Sequence, residues 1–429
     1  MPTLHVSPGR IQGRLQPPGD KSISHRAVLL GALAEGRTVA RNFLRAQDTE
    51  RTVACVQALG VAVEADGDTV RVYGRREWRA PERVLDAGNS GTTIRLLCGL
   101  LSGQPLEAVL DGDSSLRRRP MDRVAIPLRR MGAEVEAREG RFPPVRVRGA
   151  RLQGVRHELP VASAQVKSAI LLAGLYADGA TAVVEPAASR DHTERLLRAM
   201  GVDVRVRPLA GGAVAVEVTG PAQPAPVEVA VPGDFSSAAF FVAAAAAQPG
   251  AELVVEHVGL NPTRTGLLEV LREMGACVEV EDLREVAGEP VGTVVVRGRR
   301  LRGVEVAGQR VPRLIDEVPA LVVAAAVAEG HTVVRDAGEL RVKESDRIRS
   351  VVRALRAVGV QAEELPDGLV VRGGRLPGGA VESEGDHRIA MAFAVAGLLS
   401  EGGVAVEGAE CAAVSFPEFD RWLRTLAKG

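Results

Sequence analysis

Cysteine, lysine, asparagine and aromatic residues are all scarce in this chain of 429 residues. The four cysteines, Cys55, Cys98, Cys277 and Cys411, show no CxxC spacing. That excludes a disulfide framework and a zinc site, and the thiols are expected to be small buried hydrophobes in a reducing compartment. No apolar run reaches membrane-spanning length, and the N-terminus lacks the charged-then-apolar order of a signal peptide. The expected location is therefore cytoplasmic. Lys plus Arg and Asp plus Glu each number 54, so the net charge is zero and a broadly basic face for nucleic acid is not expected. The GxGxxG, HExxH and GxSxG patterns are missing as well, so neither a metal nor a redox cofactor is implied.

What is present is a hydrophobic content of 46% with 25% charged residues, the balance of a globular chain long enough for two domains. Only four of the basic residues are lysine (Lys21, Lys167, Lys343 and Lys428), and the rest are arginine. The two cations are not interchangeable, so a chain this rich in arginine keeps lysine where a compact ammonium has a use. Three of the four fall in polar clusters near expected helix starts.

Internal repetition sets the architecture. An apolar helix, a glycine and a β-branched strand recur six times: Leu29–Val39, Leu96–Val109, Ile170–Val184, Val242–Val255, Val322–Val334 and Ala394–Val406. Between them lies a shorter amphipathic helix that closes on an apolar residue and glycine, at Leu59-Gly60, Met131-Gly132, Met200-Gly201, Met274-Gly275 and Val358-Gly359. The glycine fits a left-handed helix cap, and the alternation after it fits a half-exposed strand. The sixth copy stops after Phe419–Leu426, and Thr3-Leu4-His5-Val6 is expected to supply its missing strand. Prolines between Pro221 and Pro226 are taken as the domain crossing. The expected domains are 19–230, and 1–18 plus 231–429, with three units each. Helices apolar all round are buried on all sides, which leaves only their ends for chemistry.

Those ends are polar. Gly19-Asp20-Lys21-Ser22-Ile23-Ser24-His25-Arg26 puts two cations at a helix N-terminus, where unpaired N–H groups and the helix dipole favour an anion. It is not a P-loop, because Asp20 stands where that motif needs glycine. Gly88-Asn89-Ser90-Gly91-Thr92-Thr93 is a turn whose glycines admit close approach of a ligand; the plain alternative is a capped tight turn. The run Arg117-Arg118-Arg119 would ordinarily be a solvated face, but Arg119 precedes Pro120 and is held extended. In Arg341-Val342-Lys343-Glu344-Ser345-Asp346-Arg347, the spacing puts Lys343 and Arg347 one helical turn apart.

Taken in order, PGDKSISHRA, GNSGTTIR, RRRP, SAQVKSA, RDHTER, PGDFSSAAFF, NPTR, IDEVP, RVKESDRI, GDHRIAMA and SFPEF make the chain resemble the EPSP synthase family of enolpyruvyl transferases along its whole length. The RDHTE, SAQVK and NPTR segments resemble its bacterial subgroup. The resemblance implies an α/β fold of two domains, each of three βαβαββ units, with buried helices whose N-termini face a cleft between domains. It implies transfer of the enolpyruvyl group of phosphoenolpyruvate to the 5-hydroxyl of shikimate 3-phosphate, with no cofactor and no macromolecular partner. Closure of the domains on the substrates is also implied, and a monomer is expected.

By motif, the resemblance assigns shikimate 3-phosphate to Lys21, Ser22, Arg26, Ser163, Ala164, Gln165, Arg190, Asp316 and Lys343. It assigns phosphoenolpyruvate to Lys21, Asn89, Gly91, Arg119, Gln165, Arg347 and Arg388. Asp316 is the expected base for the attacking hydroxyl, and Glu344 with Lys21 is expected to manage the methylene proton. The chain departs from the family at Val414, where many members carry a lysine before Ser415-Phe416-Pro417, and at Leu96, where some have proline. Two alternatives stay open at this point. One is the related transferase that acts on UDP-N-acetylglucosamine, although its loop cysteine and the asparagine after its first lysine are missing here. The other is a non-catalytic anion-binding member of the fold.

Overall fold

A computed structural model describes residues 3–428. Among them are twelve α-helices: α1 (Lys21–Gly31), α2 (Gln47–Ala58), α3 (Gly91–Leu101), α4 (Asp122–Arg130), α5 (Ala164–Gly174), α6 (His192–Ala199), α7 (Phe235–Ala246), α8 (Gly266–Glu273), α9 (Val318–Val327), α10 (Arg347–Ala357), α11 (His387–Leu399) and α12 (Phe419–Leu426). The odd-numbered helices are the apolar ones. All twelve residues of α7 are buried, as a run of alanines, valine and phenylalanines with no polar stripe requires. The even-numbered helices bury one face only; α12 does so through Phe419, Leu423 and Leu426, at the spacing of successive turns. Gly60, Gly132, Gly201, Gly275 and Gly359 follow α2, α4, α6, α8 and α10 with φ between 82° and 110°. Only glycine adopts that conformation without strain, so each stops its helix.

Around α3, α5, α9 and α11 the strand before the apolar helix pairs parallel with the strand after it, and a further strand adds to that one antiparallel. In the second repeat, Leu85–Asp86 pairs parallel with Glu107–Asp111, which pairs antiparallel with Phe142–Arg148 and, beyond it, Glu134–Arg138. A parallel pair needs a long crossover, and the buried helix provides it. The expected α/β architecture of helix–strand repeats is therefore the one observed.

Two compact units result. The first comprises Gly19–Val231 and Glu285–Glu289; the second takes the residues up to Pro18, Pro232–Arg284 and those from Pro290 on. Each has its own hydrophobic core. Within the first, α3 lies against α1 and α5; within the second, α7, α9 and α11 touch one another. Gly99 of α3 makes one of these approaches possible, because a Cβ there would sit 2.2 Å from the carbonyl oxygen of Ala169 in α5.

Two strands leave their place in chain order. Glu228–Ala230 follows the third repeat but pairs parallel with Gly36–Arg41 of the first. Arg10–Leu15 precedes the first repeat but pairs parallel with Glu252–Gly259 of the fourth. The proline run 221–226 therefore lies inside the first unit, and the chain leaves that unit at Val231. Residues 1, 2 and 429 of the expected domain ranges lie outside the described residues. One further expectation is corrected. Cys55 and Cys98 are buried, but Cys277 and Cys411 are only partly so, because they lie at the start of a strand and in a 3-10 turn.

Thr3–Val6 pairs antiparallel with Val404–Glu407, in the position a hairpin strand takes elsewhere. Val6 is buried, and a Cβ on Gly397 of α11 would approach it to 2.7 Å, so the strand packs tightly on that helix. Removing the residues before Ser7 should lower the stability of the second unit by about 2 kcal/mol, since it takes one buried valine out of the core and uncovers the strand edge beside it. Calorimetry would then show one transition moving down by roughly 4–8 °C. An unmoved transition would mean the strand contributes nothing.

Candidate functional site

In the first unit three apolar helices start in polar turns. Asp20 caps α1, its carboxylate accepting the N–H of Ile23 at 2.9 Å. This cap leaves Lys21 and Ser22 half-buried in the first turn, with Lys21 Nζ 3.1 Å from Asp48 of α2. Arg26, one turn further in, is buried. Its guanidinium donates to Thr193 Oγ1 at 2.7 Å, Ser168 Oγ at 2.9 Å and the carbonyl of Ser22 at 2.9 Å. Burial lowers its pKa to about 10, with Glu194 and Asp20 opposing and Arg190 adding to the fall, so it remains a cation at neutral pH. His25 beside it is pushed well below the ordinary imidazole range by burial, with Lys21 and Arg26 adding to the effect. It is neutral, and its Nδ1 meets Thr52 Oγ1 at 2.6 Å. A chain of hydroxyls continues from Thr52 to Thr93 and Ser90, at 2.6 and 2.7 Å, and so ties α1 and α2 to the start of α3.

Ser90 caps α3 by accepting the Thr93 N–H at 3.1 Å. Around Gly91 the structure gathers Asn89, Arg119 and Gln165. Arg119 has the extended backbone expected before proline, is buried, and donates to Asn89 Oδ1 at 2.6 Å. Its neighbours Arg117 and Arg118 are exposed, and Arg117 pairs with Asp111 at 2.6 Å. Gln165 accepts from Arg95 at 2.7 Å and donates to Thr92 Oγ1 at 3.0 Å. A Cβ on Gly91 would lie 2.6 Å from Arg95 Nη1 and 3.3 Å from Arg119 Nη1. Glycine is what allows these two cations to crowd the helix start. Ser163 is the residue before α5, with Ala164 and Gln165 in its first turn; Arg190 stands two residues before α6.

In the second unit three carboxylates gather around Arg347. Asp316 lies in a 3-10 turn, Ile315–Glu317, that leads into α9. Its Oδ1 lies 3.4 Å from Lys343 Nζ and 3.3 Å from Arg347 Nη1. Arg347 also forks onto Asp386 at 2.8 and 3.2 Å and pairs with Glu344. Burial opposes ionisation of Asp386, and the Arg347 guanidinium overcomes that, holding the carboxyl below its ordinary range. Burial likewise works against the charge on Arg347, but Asp386, Glu344 and Asp316 together raise its pKa. Arg388 donates to the carbonyl of Asp316 at 2.8 Å, and its own N–H is capped by Asp386 at 2.9 Å. One expectation fails here. Lys343 and Arg347 do not share a helix face, because α10 begins at Arg347 with Asp346 as its cap. A bend carries Lys343, and the two cations meet at Asp316 by that route.

Sequence reasoning did not single out Arg95, Thr92, Ser168, Thr193 or Asp386 as site residues, although all five lie inside its motifs. The available signal was their place on the first turns of helices already marked. Glu317 was missed too: it pairs with Ser236, which accepts from the buried Arg264 at 2.8 Å. Val414 ends a 3-10 turn and is partly buried. Among the described residues no group of three or more His, Cys, Asp and Glu is placed to hold a metal ion, and no helix is long and apolar enough to cross a membrane.

Two units built of helix–strand repeats, with arginine and lysine at helix starts and a carboxylate cluster opposite an arginine, define a two-domain enolpyruvyl transferase. The model of the EPSP synthase (3-phosphoshikimate 1-carboxyvinyltransferase) family matches residues 6–423, and the chain belongs to that family. It is 53% identical over 430 residues to the 3-phosphoshikimate 1-carboxyvinyltransferase of Desulfitobacterium hafniense, covering 99% of this chain and 98% of the relative. It is 56% identical over 427 residues to that of Pelotomaculum thermopropionicum, covering 98% of each. Among solved structures, EPSP synthase from Acinetobacter baumannii superposes with a TM-score of 0.86 at 43% identity, over 99% of this chain and 98% of that one.

Proposed function

We propose that this protein transfers the enolpyruvyl group of phosphoenolpyruvate to the 5-hydroxyl of shikimate 3-phosphate and releases inorganic phosphate. The observation that carries the reading is the cluster around Arg347, where Asp316, Glu344 and Asp386 surround one buried guanidinium and Lys343 approaches from the side. The reaction needs a base for the hydroxyl, an acid for the methylene carbon, and cations for two phosphates and two carboxylates. Asp316, which faces the Lys343 ammonium and the Arg347 guanidinium, serves as the base. Glu344 and Lys21 handle the methylene proton. Lys21, Ser22, Arg26, Ser163, Ala164, Gln165 and Arg190 hold shikimate 3-phosphate, together with Asp316 and Lys343. Asn89, Gly91, Arg119, Arg347 and Arg388 hold phosphoenolpyruvate, with Lys21 and Gln165 reaching both substrates. Charge-assisted hydrogen bonds from arginine stabilise the tetrahedral intermediate more than either ground state. The enzyme works without cofactor, as a monomer in the cytoplasm.

The test is release of phosphate from phosphoenolpyruvate with purified protein. Turnover is expected with shikimate 3-phosphate and absent with UDP-N-acetylglucosamine. Turnover with the nucleotide sugar alone would transfer the protein to the other branch of the fold, and none with either would support a binding role.

A further inference from the structure

Lys167 is among the largest fully buried side chains of the protein, whereas Lys21 and Lys343 are half-buried and Lys428 is exposed. An ammonium taken out of water costs several kcal/mol unless it is paired. Here it has two carboxylate partners, Glu185 at 3.0 Å and Glu194 at 2.8 Å, and the carbonyl of Ser189 at 3.3 Å. Both glutamates are as buried as the lysine. Two carboxylates and one ammonium leave an excess negative charge, and the positive field of Arg26 acts on Glu194 to offset it.

The partners of these partners lead to the substrate residues. The Glu185 carboxylate accepts the backbone N–H of Ser163 at 2.9 Å and the Ser189 hydroxyl at 2.7 and 2.8 Å. Ser163 opens α5, and Ser189 immediately precedes Arg190. Glu194 adjoins Thr193, whose hydroxyl accepts from Arg26 and meets Ser168, the residue after Lys167, at 2.7 Å. One buried ammonium thus joins three segments from different parts of the chain, and each carries a proposed contact to shikimate 3-phosphate.

We infer that Lys167 is a positioning residue for shikimate 3-phosphate: by holding Glu185 and Glu194 it fixes Ser163, Arg190 and Arg26 relative to one another. Lys167 touches no substrate. The inference rests on the proposed function, so the wild-type enzyme is assayed alongside: absence of turnover there would remove the function, not this role. A lysine that only stabilises the core would, when replaced, lower the melting temperature and leave both KM values alone. A positioning lysine separates the two substrates.

The experiment is steady-state kinetics on Lys167→Met, with binding of shikimate 3-phosphate followed by calorimetry. KM and Kd for shikimate 3-phosphate are expected to rise about tenfold, the equivalent of about 1.4 kcal/mol. KM for phosphoenolpyruvate should stay within about twofold, because Asn89, Gly91 and Arg119 lie outside the network. Ser189→Ala cuts the link between Glu185 and the Arg190 segment without stranding a buried charge, and should raise KM for shikimate 3-phosphate alone by about threefold. Equal changes in both KM values, or none, in folded Lys167→Met would overturn the inference. If that variant does not fold, Ser189→Ala decides: a selective rise supports positioning, and unchanged constants refute it.

Discussion

Asp316→Asn should lower kcat by about 10²–10⁴-fold, the usual contribution of a placed general base. Asparagine keeps the shape of the side chain and an oxygen to accept from Lys343 and Arg347, which approach Asp316 to 3.4 and 3.3 Å. What it loses is the ability to take a proton from the attacking hydroxyl. KM for both substrates should therefore move little, and thermal stability should be close to wild type, since Asp316 is partly exposed and Arg347 retains Asp386 and Glu344. Presteady-state quenching would locate the defect in the formation of the tetrahedral intermediate. A kcat within about threefold of wild type would place the base elsewhere, and Glu344 would be the next residue to change.

The second large effect is on stability as much as on rate. Arg347→Met should destabilise the second unit by about 3–5 kcal/mol, the range for removing one partner of a buried ion pair. The guanidinium is 1% exposed and Asp386 is fully buried, so water cannot replace the missing charge. Asp386 also caps α11 and fixes Arg388, so the loss extends to a second proposed phosphoenolpyruvate contact. Turnover should become undetectable, and the calorimetric transition of this unit should fall by roughly 10 °C. Arg347→Lys keeps a charge but not the fork onto both Asp386 oxygens, so an intermediate loss is expected. A melting temperature within about 2 °C of wild type for Arg347→Met would show that the stranded carboxylates become neutral by taking up protons from solvent.

Much of this architecture could be read from the sequence because its signals are local. The glycines after α2, α4, α6, α8 and α10, the apolar runs of α3, α7 and α9, and the cap residues Asp20, Ser90 and Asp386 all act within one turn of the chain. What could not be read is which strands Arg10–Leu15 and Glu228–Ala230 pair with, because those partners lie some 240 and 190 residues away. The site shows the same division. Arg119 was singled out by the proline that follows it, a constraint on one backbone angle. Lys343 was misjudged, because spacing alone does not show that Asp346 begins the helix after it. Arg95 was passed over as one more arginine in a chain full of them, and only folding shows that it meets Gln165.

The displaced strands also set an order of events at the ribosome. The first repeat lacks its parallel strand until Glu228–Ala230 has been synthesised, so it must wait for the end of the third. The wait for Thr3–Val6 is longer, because its partner, Val404–Glu407, is made some 400 residues later. At about 5–20 residues per second, that is roughly 20–80 s during which the strand has no native mate. Over that interval the polar residues Arg10, Gln12 and Arg14, which alternate along Arg10–Leu15, disfavour pairing of that early strand with other chains.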